Sequence, residues 1–327
     1  MGKILVTGAN GFVGSHICET LQSAGFDVRA LVRKTSDLTN IEHLNLEIVY
    51  GDLNDPDSLP AAIEGAEAIV NNAGVTKALD CDMFNRVNAT GTENILKATE
   101  KSNRDIKRLI QISSTAASGP APSDTPINED YPPRPLTAYG KSKLAGEEAV
   151  LGCGDRFPVT ILRPSAVYGP RDKEMLSFFK AVNFRLKPTF GTGECYINFT
   201  YVKDLAQAVA RALTVDSPSG GVYFVAEKRR YSYSEAGDII SEALGIKALD
   251  IHVPATVLRF AGKISEVAAR WRNKASIFSA DKALEISQKY WLVDTSRIEN
   301  ELGFVSPTSF RDGVMETVEW YRRHGWL

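Results

Sequence analysis

Residues 3–7, KILVT, form an apolar run of the kind expected of a strand buried on both faces, and they lead straight into GANGFVG. Glycines at 8, 11 and 14 open a helical pattern that continues to about Ala24. A strand, a glycine turn and a helix start, in that order, make an anion-binding corner. Gly8 permits the tight turn, Gly11 lets the backbone approach a pyrophosphate, and Gly14 lets the helix pack on the strand. The backbone at Asn10, Phe12 and Val13 then presents free N–H groups and the positive end of the helix dipole to the anion. The spacing is G-x-x-G-x-x-G, and its position between an N-terminal strand and an amphipathic helix is what gives it weight.

Further strand patterns recur at intervals that leave room for a helix between them: DVRALVR (27–33), LEIVYGD (46–52), EAIVNNAG (67–74), KRLIQISS (107–114) and PVTILRPSAVYG (158–169). MFNRVNATGTENILKATEKS (83–102) reads as one of the intervening helices. This alternation implies an α/β fold built on a doubly wound parallel sheet of the Rossmann type. Ligands of such sheets sit beyond the carboxyl ends of the strands. Those ends carry Arg33, Asp52, Asn72–Gly74, Ser113–Thr115 and Arg163–Pro164. Beyond Gly169 the pattern breaks up, which predicts a smaller, discontinuous C-terminal substrate lobe. The expected division gives 1–170 and 201–227 to the dinucleotide-binding domain, and 171–200 and 228–327 to the substrate lobe. The proline-rich stretch 118–135 is either a flap over the site or a static surface loop.

The end of the second strand discriminates between cofactors. An acid there would bond the adenosine ribose of NAD, whereas a cationic fork suits a 2′-phosphate. Arg33, Lys34 and Ser36 stand at that position, and the first acid, Asp37, comes later. The expectation is therefore NADP, with NAD as the alternative. Asp52 either meets the adenine amino edge or caps the helix after NDPDSLP (54–60).

With 327 residues and a net charge of −2, the chain has a sizeable core and no electrostatic signature of a nucleic-acid binder. Four scattered cysteines and four dispersed histidines suggest no metal site. The opening residues lack a signal-peptide plan, and no apolar run has membrane-spanning length, so a cytoplasmic location is expected.

LTAYGKSKLAG (136–146) follows the extended run DYPPRP, and Thr137 is placed to cap a helix there. On that helix Tyr139 and Lys143 share one face, four residues apart. An adjacent ammonium and a positive nicotinamide ring would favour phenolate in a group otherwise titrating near ~10.

Taken in order, TGANGFVG (7–14), GDL (51–53), NATGT (88–92), ISSTAASG (112–119), YGKSK (139–143), LRPSAVYGP (162–170) and NFTYVKDLAQAV (198–209) resemble the extended short-chain dehydrogenase/reductase family, also called the epimerase/dehydratase family. The resemblance implies that Tyr139 is the general acid/base, that Lys143 binds the nicotinamide ribose and lowers the tyrosine pKa, and that Ser114 polarises the substrate oxygen. Thr115 is the second choice for that last role, and Ser113 packs within the strand. Asn88 matches a family asparagine that holds a backbone carbonyl or water near Lys143; a kinking or capping role is the alternative. The resemblance also puts Leu53, Asn72, Ala73, Gly74 and Pro164 against the cofactor, and Thr115, Ala116, Val167 and Tyr168 against the substrate. Ser118, where the family often has an aromatic residue, suggests a more open pocket wall. No acid follows Ser114, which argues against dehydration.

The segment 275–304 resembles the 3β-hydroxysteroid dehydrogenase and dihydroflavonol reductase branch, which acts on bulky, mostly apolar alcohols and ketones. The leading expectation is thus an NADP(H)-dependent oxidoreductase. The alternatives are an NAD-dependent nucleotide-sugar epimerase and a non-catalytic NADP-binding sensor or scaffold. A nucleotide sugar would want cations, and Arg171, Lys173, Arg185 and Lys187 lie in the stretch neighbouring the FTYVKD segment. Relatives often dimerise through the helices bearing NATGT and YGKSK, so a homodimer is expected. The apolar stripe with basic flanks in 254–278 either packs on its own lobe or touches a membrane surface.

Overall fold

The computed structural model describes residues 2–78, 81–190, 193–271 and 279–327. Its strands are β1 (Lys3–Thr7), β2 (Asp27–Val32), β3 (Glu47–Tyr50), β4 (Ala68–Asn71), β5 (Arg108–Ile112), β6 (Val159–Pro164), β7 (Ala166–Tyr168), β8 (Leu186–Phe190), β9 (Tyr196–Tyr201), β10 (Gly221–Val225), β11 (Arg230–Ser232), β12 (Leu249–Val253) and β13 (Tyr290–Trp291). Seven of them form one parallel sheet in the order β10-β6-β5-β4-β1-β2-β3. Because β1 pairs with both β2 and β4, the chain order reverses on either side of it. A crevice opens at such a switch point, and the glycine turn after β1 lies in it.

Helices cover both faces of the sheet, which is why β1, β5 and β6 are almost continuously buried. On one face Ile17 and Leu21 of the Phe12–Ser23 helix meet Leu205 and Val209 of the Val202–Thr214 helix. On the other, Ile95 and Leu96 of the Gly91–Ser102 helix join Val150 of the Ala138–Leu151 helix. Each such fully buried aliphatic side chain contributes about 1.5–3 kcal/mol relative to exposure.

The expected parallel sheet is present, the static alternative holds for 118–135, and two local readings change. The run 158–169 is two strands: β6 stays in the large sheet, while β7 departs after Pro164 to pair with β9 in a small sheet ordered β11-β9-β13. The 83–102 helix is interrupted, with a π-helical turn at Asn85–Thr90 ahead of Gly91–Ser102. The 118–135 stretch is a pinned surface connection. Ala121 and Ile127 N–H groups donate to Tyr290 and Leu292 carbonyls at 2.9 and 3.1 Å, and Ile127 is buried with Leu292 and Val293.

Behind the Tyr139 helix, Arg163 of β6 meets Glu147 through two parallel bonds of 2.9 and 2.6 Å, both side chains being buried. Removing one partner of a buried pair leaves an unpaired charge, at a cost of about 3–5 kcal/mol. Glu147→Ala is therefore expected to lower unfolding stability by roughly that amount in chemical denaturation, whereas Glu147→Leu with Arg163→Met recovers most of it.

Candidate active site

The cradle after β1 depends on close backbone approach. A Cβ on Gly14 would stand 2.1 Å from the Gly8 carbonyl oxygen, so only glycine lets the helix start this near the turn. Gly8 has φ +63° and lies against the backbone of Ala73. At Gly11, by contrast, a Cβ would meet only the Gly8 carbonyl oxygen, at 3.3 Å, and no side chain caps the helix. The first-turn N–H groups, including those of Phe12 and Val13, therefore lack a side-chain partner at an open helix start, which suits a pyrophosphate.

Two loops are tied to this cradle. Asn10 donates to the Asp37 carbonyl at 3.0 Å and accepts, through its own carbonyl, from Asn40 at 3.1 Å. That fixes the 33–40 turn beside the glycines, with Ser36 Oγ accepting from Arg33 N–H at 3.1 Å. Arg33 and Lys34 are exposed there. Asp37 is turned to Thr39, whose hydroxyl and N–H both bond its carboxylate and hold it below the usual range. On the other side, Asn72 donates to the Gly8 carbonyl at 3.3 Å, and the Asn72 and Ala73 N–H groups both bond Thr7 Oγ1. Asp52 accepts from Asn54 N–H at 2.9 Å and so closes its own turn; it does not cap the short helix that follows, whose N-cap is Asp55. Leu53 is buried and stands against Gly91.

The expected proton-transfer residues converge. Thr137 caps the Ala138–Leu151 helix by accepting from Gly140 N–H at 3.1 Å, as its position suggested. Tyr139 is hydrogen-bonded to Ser114, itself the N-cap of the short Thr115–Ser118 helix. Lys143 Nζ donates to the Ile112 carbonyl at 2.6 Å. Asn88 lies in the π-helical turn, where its Oδ1 accepts from Val75 N–H and its Nδ2 donates to the Val75 carbonyl and to Ser142 Oγ. Ser142 in turn donates to the Tyr139 carbonyl at 2.7 Å. A Cβ built on Gly74 would lie 3.0 Å from Asn88 Oδ1 and 3.8 Å from Lys143 Nζ, so these groups share one small space.

The electrostatics depart from expectation. Burial pushes the Tyr139 phenol above its ordinary value; the Ser114 hydrogen bond opposes this, and the nearby carboxylates Glu174 and Glu285 add to it. The cation that acts on Tyr139 is Lys282, where Lys143 was expected. Lys143 is itself pulled down to about 8 by burial, against the attraction of Glu147. Its ammonium is thus poorly solvated, and an anion or electron-rich oxygen beside it would be bound strongly.

One expected substrate contact falls elsewhere, and another, Val167, is half-buried. Tyr168 is buried in the core, its ring 5.0 Å from Phe310 and its hydroxyl facing the Phe310 carbonyl. Val167 packs between the two core clusters that flank β7. Thr115, Ala116 and Pro164 are buried near the strand ends. Ser118 is also buried, so its small size opens no pocket wall.

Other groups near Tyr139 were not foreseen. The Phe84 ring lies edge-on at 6.0 Å. From the Ala280–Ile286 helix, Asp281 accepts from Ala138 N–H at 2.9 Å and Glu285 accepts from Thr137 Oγ1 at 3.1 Å. Desolvation works against the Lys282 ammonium, but Glu285 and Glu174 outweigh it and keep the group charged. Asp281, Lys282 and Glu285 are more than 140 positions from Tyr139, and no local pattern marks them.

Comparison with known proteins follows the same lines. The model of the NAD dependent epimerase/dehydratase family matches residues 4–226. Over its whole length the chain is 31% identical to a ceramide reductase of Caulobacter vibrioides, covering 96% of that protein. It is 24% identical to the sterol-4-alpha-carboxylate 3-dehydrogenase of Candida albicans, with 97% of each chain covered. The structure of MoeE5 in complex with UDP-glucuronic acid and NAD is similar at a TM-score of 0.78, with 25% identity, covering 99% of this chain and 100% of that one.

Lys143 gives a pH signature. A lysine held near 8 when folded and near 10.5 when unfolded binds fewer protons in the native state between those values, so its contribution to stability rises with pH across that window. Relative to Lys143→Met, the wild type is expected to gain up to about 3 kcal/mol between pH 8 and 10.5, read from denaturation midpoints.

Proposed function

From the premise that this chain belongs to the NAD dependent epimerase/dehydratase family, we propose that it is an NADP(H)-dependent oxidoreductase acting on a bulky, largely apolar ketone or secondary alcohol. The observation that carries the reading is the convergence of Ser114, Tyr139 and Lys143 at the mouth of an uncapped glycine cradle. A bound nicotinamide dinucleotide supplies or accepts the hydride. The chain's own groups do the rest. Ser114 holds the substrate oxygen, and Tyr139 gives it a proton in reduction or takes one in oxidation. Its raised pKa keeps the phenol protonated in the free protein, the form required for proton donation. Lys143 meets the ribose hydroxyls, and positive charge arriving with the cofactor offsets burial at Tyr139. Phe12, Val13 and the neighbouring amides receive the pyrophosphate.

NADP is favoured by Arg33 and Lys34, exposed beside the cradle, and by Asp37 being turned to Thr39. The apolar substrate is supported by Phe84 at Tyr139, and by the rings of Phe178 and Phe190 packed about Tyr233, which lies within electrostatic range of Lys282. A nucleotide sugar finds less. Arg171 is paired with Glu19, Lys187 with Asp238 and Asp250, and Lys173 lies over Trp326. MoeE5, with its UDP-sugar acid and NAD, keeps the redox-neutral epimerase as the second reading.

Calorimetric titration separates the two. Wild type is expected to bind NADP⁺ more tightly than NAD⁺, and Arg33→Ala to lose roughly 10- to 100-fold toward NADP⁺ alone, the worth of a charge-assisted bond. Tighter NAD⁺ binding, or NAD that cannot be stripped from the purified protein, would overturn it in favour of the epimerase. In the same preparation Tyr139→Phe should keep its NADP⁺ affinity while turnover of a ketone substrate falls by about 10²–10⁴.

A further inference from the structure

Of the eleven large apolar side chains that the described residues leave exposed, seven fall in two short stretches, 184–186 and 249–264. The first of these and the start of the second meet in the two-stranded ribbon of β8 and β12. The strands are parallel, with Leu186 opposite Leu249, Pro188 opposite Ile251 and Phe190 opposite Val253. Registered residues share a face. The opposite face carries Lys187, which bonds Asp238 and Asp250 and lies against Gly237 of the Tyr233–Leu244 helix. One side of the ribbon is therefore covered. On the other, Leu249 is 74% exposed and Leu186 and Ile251 are 42% and 41% exposed.

Pro254 then turns the chain into the Ala255–Trp271 helix, the N–H groups of Val257 and Leu258 both bonding its carbonyl. Leu258 is buried, and Gly262 lies so close to Ser279 that a Cβ would stand 2.8 Å from its carbonyl oxygen. That is the packed side of the helix. Val257, Phe260 and Ile264 recur at i, i+3 and i+7 on another side, all more than half exposed. Among the described residues, ribbon and helix thus offer, in direct chain succession, two exposed apolar surfaces.

Charge selects the occupant. By sequence, segment 254–278 contains Arg259, Lys263, Arg270, Arg272 and Lys274 against Glu266 alone, a net +4 in a chain of net −2, with 272–278 lying outside the described residues. Arg185 and Lys247 adjoin the ribbon, joined by a 3.4 Å bond from the Arg185 guanidinium to the Lys247 carbonyl. Asp238 and Asp250, the carboxylates on the covered side of the ribbon, are already on Lys187. A second copy docked about a two-fold axis would set this positive segment against itself. An anionic surface would be drawn to it instead, each basic residue near such a surface contributing about 1 kcal/mol. Among the described residues no helix is long and apolar enough to cross a membrane, which leaves a surface contact.

We propose that the open face of the β8–β12 ribbon and the Val257–Phe260–Ile264 stripe form a docking surface for an anionic lipid bilayer, on which the protein lies peripherally. The surface borders the candidate active site. The Ala255–Trp271 helix packs on the Ala280–Ile286 helix, and that helix holds the first turn of the Tyr139 helix through Asp281 and Glu285. At the ribbon's far end the Phe190 ring lies 5.3 Å from that of Tyr233. The inference stands apart from the hydride-transfer reading, because it concerns binding alone.

The test is co-sedimentation of the full chain with vesicles of phosphatidylcholine alone or mixed with phosphatidylglycerol, at low and high salt. The protein should pellet with the phosphatidylglycerol vesicles, much less with phosphatidylcholine, and less as salt rises. Phe260→Asp should weaken binding at least ~10-fold, as should Leu249→Asp on the separate ribbon surface. Both variants should keep the wild-type NADP⁺ titration, which establishes that they fold. Failure to pellet with either vesicle, or undiminished pelleting of both variants, would overturn the proposal. So would a solution dimer that Phe260→Asp dissociates, since that would give the surface to a second copy.

Discussion

One buried hydroxyl joins the two halves of the candidate site. Thr7, the last residue of β1, donates to Asn71 Oδ1 at 2.8 Å and accepts from the N–H groups of Asn72 and Ala73. Asn71 in turn donates to Gln111 of β5 at 2.7 Å. These bonds fix the turn after β1 to the turn after β4, across the point where the sheet reverses direction. The linkage then runs on through Val75, Asn88 and Ser142 to the Tyr139 carbonyl. Polar groups buried at the ends of central strands are costly unless paired, and here their pairing ties the glycine cradle to the helix of the phenol.

The cradle, most sheet strands and the Thr137 cap were legible because each depends on neighbours in sequence. A strand followed by glycines, or a proline-rich run ending at a threonine, carries its geometry locally. What could not be read depended on distant partners. Nothing in LRPSAVYGP tells whether Tyr168 faces substrate or core; the decision lies with Phe199, Tyr201 and Phe310, which close around its ring. The π-helical turn was hidden for the same reason. Asn88 reaches both Val75 and Ser142, and the helix around it is wound to permit both bonds.

The direction of the Tyr139 shift shows how burial and charge compete. A lysine four residues along the helix suggested a loosened proton. In the folded chain Lys143 bonds the Ile112 carbonyl and has its own pKa lowered, so desolvation prevails at both residues. A free protein with a protonated phenol and a reluctant ammonium is poised for cofactor charge to reset both. The helix carrying Asp281, Lys282 and Glu285 adds a second layer, since it both orients the Tyr139 helix and brings charge to the phenol.

A crystal structure of the complex with NADP⁺ tests the central claim most directly. The account predicts the pyrophosphate on the amides after Gly11, the 2′-phosphate at Arg33, and the ribose hydroxyls on Lys143. It also predicts the nicotinamide beside Tyr139, leaving room for a substrate carbon about 3–3.5 Å from its reactive carbon. A dinucleotide bound outside the glycine cradle, or a nicotinamide turned away from Tyr139 and Ser114, would contradict it.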